Sequence, residues 1–107
     1  MNSRLAEYPI TPFLDDICDG LKNSPSRYLI LTAETAAGKS TVLPLALLEK
    51  FSGKIIMTEP RRIATLGVAN RVSELWETAC EGGPNEVGYK IHLENKITKN
   101  NRLEVVT

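Results

Sequence analysis

Nine consecutive residues, Ala-Glu-Thr-Ala-Ala-Gly-Lys-Ser-Thr at positions 33–41, carry the clearest chemical signal in the chain. A triphosphate is held where several backbone N–H groups point at one spot and a helix N-terminus lies behind them. The pattern G-x-x-x-x-G-K-[ST] builds that cradle when it joins a buried strand to a helix. Here Gly38 allows close backbone approach, Lys39 places a cation on the β and γ phosphates, and Ser40 offers a hydroxyl to Mg²⁺. The backbone amides of Ala33, Glu34, Thr35, Ala36, Ala37 and Thr41 complete the expected nucleotide contacts. Two positions depart from the usual glycines. Ala33 is tolerable if its backbone stays extended, whereas Ala36 is costly if that residue needs a positive φ.

Elements of the right kind flank this loop. Arg27–Ala33, "RYLILTA", is a short continuous apolar run, as expected of a strand buried on both faces. A helix is expected from about Gly38 to Phe51, with Leu43, Leu47 and Phe51 on one side and Pro44 kinking or tightening its first turns. Ahead of them, "TPFLDDICDGLKN" reads as a helix capped by Thr11, with Pro12 in first position and Phe13, Ile17 and Leu21 forming its apolar face. Further on, "GKIIMTE" is a second buried-type strand, and "PRRIATLGVANRVSELWETA" a long helix opened by Pro60. "VGYKIHL" and "RLEVVT" are two more strands, separated by the polar turn "ENKITKNN". Strands alternating with long helices imply an α/β fold with a parallel sheet and helices on both faces.

Composition excludes little. The 107 residues make one small domain, and 13 basic against 13 acidic side chains leave no net charge to steer the chain onto nucleic acid. Cys18 and Cys80 stand far apart and the chain has one histidine, so two free thiols are expected rather than a zinc site. The first residues lack the apolar core of a signal peptide and no run is long enough to span a bilayer, so a cytoplasmic protein is expected.

Beyond the cradle, "IIMTEPRRIATLGVANRVSEL" resembles motif Ia of the DEAH-box superfamily 2 RNA helicases, in which Pro-Arg-Arg opens a helix carrying Ala-x-Arg-Val. "EVGYKIHLEN" resembles that family's Val-Gly-Tyr-x-Ile-Arg-x-Glu-Asn segment, and "NRLEVVT" its strand leading into motif Ib. "GKSTVLPLALL" matches its cradle helix, proline included, and "YPI" near the start also fits. The likeness runs from about Tyr8 to Thr107 and is greatest to the bacterial HrpB type.

The resemblance implies that residues 1–107 are the first part of a RecA-like P-loop NTPase domain, ahead of the DEAH motif. It implies ATP and Mg²⁺ as cofactors, and as partner an RNA that is single-stranded or a duplex with an overhang. Lys39 would serve catalysis, Ser40 the metal, and Arg71 would stack on the adenine opposite an aromatic from a second RecA-like domain outside this sequence. Arg71 also falls inside the apolar stripe of Ala64, Val68, Val72 and Leu75, an unusual place for a cation. Arg61, Arg62, His92 and Thr107 would contact RNA, with His92 standing where the family has an arginine. A neutral imidazole lacks the permanent, bidentate charge of a guanidinium, so a weaker hold is expected there. No DExH or DExD tetrad occurs in the sequence, so the isolated chain is expected to bind nucleotide without turning it over. Two other classes use such cradles: a P-loop kinase-like transferase, and a nucleotide-binding module without turnover.

Overall fold

Among the described residues, four strands are joined into one sheet, in the order β1 (Ile55–Thr58), β4 (Leu103–Val106), β2 (Val87–Ile91), β3 (Glu94–Asn95). The computed structural model describes residues 5–26, 28–32 and 38–107. β1 and β2 both pair parallel with β4, and β3 closes the far edge antiparallel to β2. The helices are α1 (Leu14–Asn23), preceded by a 3₁₀ turn over Thr11–Phe13, α2 (Leu43–Lys50) and α3 (Arg62–Thr78).

Strand alternation decides which face is buried. The register aligns Ile55, Leu103 and Val87, and then Met57, Val105 and Tyr89, and all six join the core cluster with side chains from the three helices. The alternate positions turn the other way: Ile56 is 63% exposed, and Thr58 and Lys90 are exposed. The α/β fold with a mostly parallel sheet is as expected, and among the described residues the helices share one core against the buried face. Crossover handedness explains it. The β1–α3–β2 connection steps one way along the sheet, and a right-handed crossover sets its helix over one face. The return from β2 to β4 steps back, so it passes over the opposite face, and it carries only β3 and a turn.

That return crosses the sheet at Gly88. A Cβ there would lie 2.1 Å from Asn101 Oδ1 and 2.8 Å from the Lys96 carbonyl oxygen. Asn101, 5% exposed, stitches the crossing together: its Oδ1 accepts from the Thr98 N–H at 2.6 Å and its Nδ2 donates to the Asn85 carbonyl at 2.6 Å. Nearby, Trp76 on α3 donates its indole N–H to the Glu86 carboxylate, which also accepts from the Gly83 N–H at 3.0 Å. Trp76 is 7% exposed, a packing residue as its size suggests.

Several local expectations are corrected. Residues 28–32 form no strand, and Tyr28 and Ile30 are 81% and 93% exposed. No described strand lies beside them, and an apolar run cannot satisfy its main chain without a neighbour. Thr11 does not cap α1, because its hydroxyl donates instead to the Leu5 carbonyl. α1 buries Leu14 and Cys18 and leaves Phe13, in the preceding turn, 59% exposed. α2 starts at Leu43 rather than near Gly38. Pro44 has no N–H to donate to the Ser40 carbonyl, so the helical ladder cannot run through it, and it sits unkinked in the first turn. On α3 the deepest positions are Thr65, Ala69, Val72, Leu75 and Trp76, with Ala64 and Val68 only half-buried.

Arg102 fixes the end of α2 to the start of β4, donating to the carbonyls of Leu48 (3.1 Å) and Phe51. A guanidinium suits that end, where unpaired carbonyls and the helix dipole are negative. Both cysteines are free thiols. Burial, with a smaller push from Glu49, raises the Cys80 thiol to about 11. Since the thiolate is the reactive form, alkylation of Cys80 by iodoacetamide at pH 8 is expected to run roughly a hundredfold slower than that of an unperturbed thiol. Mass spectrometry over a time course checks this, and complete labelling within minutes would contradict it.

Candidate functional site

Gly38 is where the structure imposes the sequence most strictly. Its φ is 106°, a backbone conformation that residues with a Cβ rarely adopt. Space demands glycine as well, since a Cβ would stand 2.9 Å from Ile10 Cγ2, 3.1 Å from Val42 Cγ2 and 3.2 Å from Tyr8 Cδ1. Its carbonyl accepts from the N–H groups of Val42 (2.8 Å) and Leu43 (3.2 Å), tying the turn over residues 39–42 to the start of α2. Lys39 is exposed in that turn, with Ser40 and Thr41 half-buried behind it. Lys39 and Ser40 therefore precede α2 by a turn instead of lying in its first one. Ala33, Glu34, Thr35, Ala36 and Ala37 lie outside the described residues.

These features fit a triphosphate. Packing of Ile10, Val42 and Tyr8 behind Gly38 fixes the turn that presents Lys39, which is exposed and makes no ion pair among the described residues. They would fit Mg²⁺ only in company: no cluster of three or more His, Cys, Asp or Glu side chains able to hold a metal occurs among the described residues. Ser40 would thus supply one ligand and the phosphates others.

Arg71 stands at the margin of α3's buried face, with a side chain 42% exposed. Its Nη1 donates to Glu74 Oε2 at 3.1 Å, and its Nη2 donates to the Tyr8 hydroxyl at 3.5 Å. These bonds, that to Tyr8 foremost, hold the guanidinium pKa above its ordinary value. Tyr8 is the same residue whose ring lies against Gly38, so Arg71 and the glycine of the cradle share one neighbour. Sequence reasoning missed that neighbour, and the only hint of it was the short "YPI" likeness.

A second group collects at one end of the sheet. Because β1, β4 and β2 run parallel with Thr58, Val106 and Lys90 near their ends, the residues that follow them emerge at the same edge. Arg61 and Arg62 follow β1, Thr107 follows β4 and His92 follows β2, and all four are exposed. Ligands of open α/β sheets bind beyond the carboxyl ends of the strands. The Arg61 carbonyl accepts from both the N–H (2.9 Å) and the hydroxyl (2.8 Å) of buried Thr65, which fixes the start of α3. The Thr107 N–H donates to the Lys90 carbonyl at 3.2 Å. Topology alone thus sets residues from three separate stretches of the sequence along one edge of the sheet.

No family model matches the chain. It is 41% identical over 105 residues to the ATP-dependent RNA helicase HrpB of Escherichia coli, covering 96% of this chain and 12% of that protein. It is 35% identical over 104 residues to the probable ATP-dependent RNA helicase DHR2 of Saccharomyces cerevisiae, covering 92% of this chain and 14% of that one. Two crystal structures of E. coli HrpB superpose with a TM-score of 0.78 each, at 40% and 39% identity over 94% and 100% of this chain. The chain spans about an eighth of these relatives, 12% of the solved HrpB chains. No helix among the described residues is long and apolar enough to cross a membrane.

Proposed function

The chain belongs to the DEAH/DExH-box helicase family, and we propose on that footing that it is the nucleotide-holding part of an ATP-dependent RNA helicase's first RecA-like domain. The observation that carries this reading is Gly38, held at positive φ and excluded from bearing a side chain, immediately before Lys39 and Ser40. By their order in the sequence, residues 33–38 and Thr41 would hold the phosphates, Lys39 would neutralise the β and γ phosphates, and Ser40 would contribute to Mg²⁺. Ser40 would hold that metal together with the phosphates, and the ion would supply positive charge against the charge developing on them. RNA, as a single strand or the overhang of a duplex, passes across the sheet edge bearing Arg61, Arg62, His92 and Thr107. In the parent protein a second RecA-like domain closes over the nucleotide, and the protein works in the cytoplasm.

Arg71 forms the base end of the site. A guanidinium stacked on a ring contacts the π-face that every base possesses, so ATP and GTP should bind alike. Arg71→Ala is expected to weaken both by about 0.5–1 kcal/mol, the range of exposed cation–π contacts, and to leave inorganic triphosphate unchanged. Competition among the three ligands, each with Mg²⁺, tests this. A hundredfold preference for ATP over GTP, or an Arg71→Ala chain that holds ATP as tightly as the parent, would remove the stacking role.

A further inference from the structure

Among the described residues, Tyr8 touches both ends of the proposed nucleotide site, Gly38 and Arg71. Its main chain is anchored in the turn before α1, where its N–H donates to the Leu5 carbonyl at 3.3 Å and its carbonyl accepts from the Thr11 N–H at 3.0 Å. Leu5 and Ile10, on either side, are 0% and 4% exposed, so the turn is pinned to the core. From there the ring lies against the space that a Gly38 Cβ would need, and the hydroxyl reaches Arg71 Nη2.

Arg71 is consequently held at two points in the plane of its guanidinium, by Tyr8 through Nη2 and by Glu74 through Nη1. Hydrogen bonds around the edge of a guanidinium do not compete with stacking on its face. They reduce the rotamer freedom that a long, partly exposed side chain would otherwise lose when a base settles on it. Glu74 alone, one turn along the same helix, cannot fix Arg71 relative to the cradle. Tyr8 can, because its ring is packed on the cradle glycine.

We infer that Tyr8 is a positioning residue for nucleotide binding: its hydroxyl holds the Arg71 guanidinium at a set distance from Gly38, matching the base platform to the phosphate cradle. This rests on the nucleotide-site reading above. It adds a specific division of labour within Tyr8, in which the ring supports the phosphate end and the hydroxyl supports the base end.

The test is calorimetric titration of the 107-residue chain and three variants, Tyr8→Phe, Arg71→Ala and the double substitution, with Mg²⁺–ATP and with Mg²⁺–triphosphate. Tyr8→Phe keeps the ring on Gly38 and removes only the hydroxyl. It should weaken ATP by roughly two- to fivefold, the low end for one hydrogen bond, and leave triphosphate unchanged. Adding Tyr8→Phe to Arg71→Ala should cost nothing further, because the hydroxyl acts only through Arg71. Equal weakening of ATP and triphosphate by Tyr8→Phe would reduce the residue to a structural tether and overturn the inference. So would unchanged ATP affinity in Tyr8→Phe beside a loss in Arg71→Ala, a result that leaves the nucleotide site standing. A parent chain that binds neither ligand would overturn the site and the inference together.

Discussion

Lys39→Ala is expected to weaken the binding of Mg²⁺–ATP by about 1.5–3 kcal/mol, the range for hydrogen bonds to charged groups. The side chain is exposed in the turn that follows Gly38, so removing it should leave the packing around Gly38 intact. The loss would therefore be one of charge and donor, with the backbone cradle still in place. Inorganic triphosphate should lose as much as ATP if Lys39 meets only phosphate, as proposed, and that sets this variant apart from Arg71→Ala. Calorimetry on both forms, with circular dichroism to confirm the fold, decides the matter. Equal affinities in the two chains would mean that Lys39 does not face the phosphates.

Gly88→Ala should destabilise the sheet strongly, by about 2–6 kcal/mol. The new Cβ would overlap Asn101 Oδ1 at 2.1 Å and crowd the Lys96 carbonyl at 2.8 Å. Overpacking by itself costs about 1–3 kcal/mol. Displacing Asn101 also breaks its bonds to Thr98 and Asn85, and a buried polar group left unpaired adds about 1–3 kcal/mol. Such a loss is a large part of the roughly 5–15 kcal/mol that holds a domain together. Gly53→Ala is the matched control, because nothing lies within 4 Å of the Cβ it would carry. Urea denaturation of both variants should show a much lower midpoint for Gly88→Ala alone, and coincident midpoints would refute the crossing described at Gly88.

What could be read from sequence was whatever local periodicity dictates. α3 and the strands around Ile56, Tyr89 and Val105 sit where helical spacing and apolar runs put them, but Ile56, in a run expected to be buried on both faces, is 63% exposed. The reading of residues 28–32 failed for a non-local reason: an apolar run becomes a strand only if another strand pairs with it, and none among the described residues does. A helix begun near Gly38 makes Pro44 kink or tighten its first turns, whereas α2 begins at Leu43 and takes the proline at its start, where no N–H is needed. β3 was lost within a polar turn of charged and amide residues, too short to show alternation. At the candidate site, Gly38, Lys39 and Ser40 were legible from their order, and the gathering of Arg61, His92 and Thr107 follows from strands that run parallel. The bond between Arg71 and Tyr8 was not legible. The two residues are 63 positions apart, and only the packing of the turn before α1 against α3 brings them together.

The strand order also governs when the sheet can assemble. β4 lies between β1 and β2 yet follows both in the sequence, and each depends on it for its parallel partner. During synthesis, β1 and the helix behind it would leave the ribosome before any described strand that pairs with β1, and β2 would have only the two-residue β3. Leu103 and Val105, both fully buried, would then enter as a wedge between two waiting strands and complete the core in one step. Parallel pairing across such separations closes long loops before any contact rewards it, and it is slow for that reason. In the interval the chain would show apolar strand edges to its surroundings, so chaperone dependence would be greatest just before Leu103–Val106 emerge.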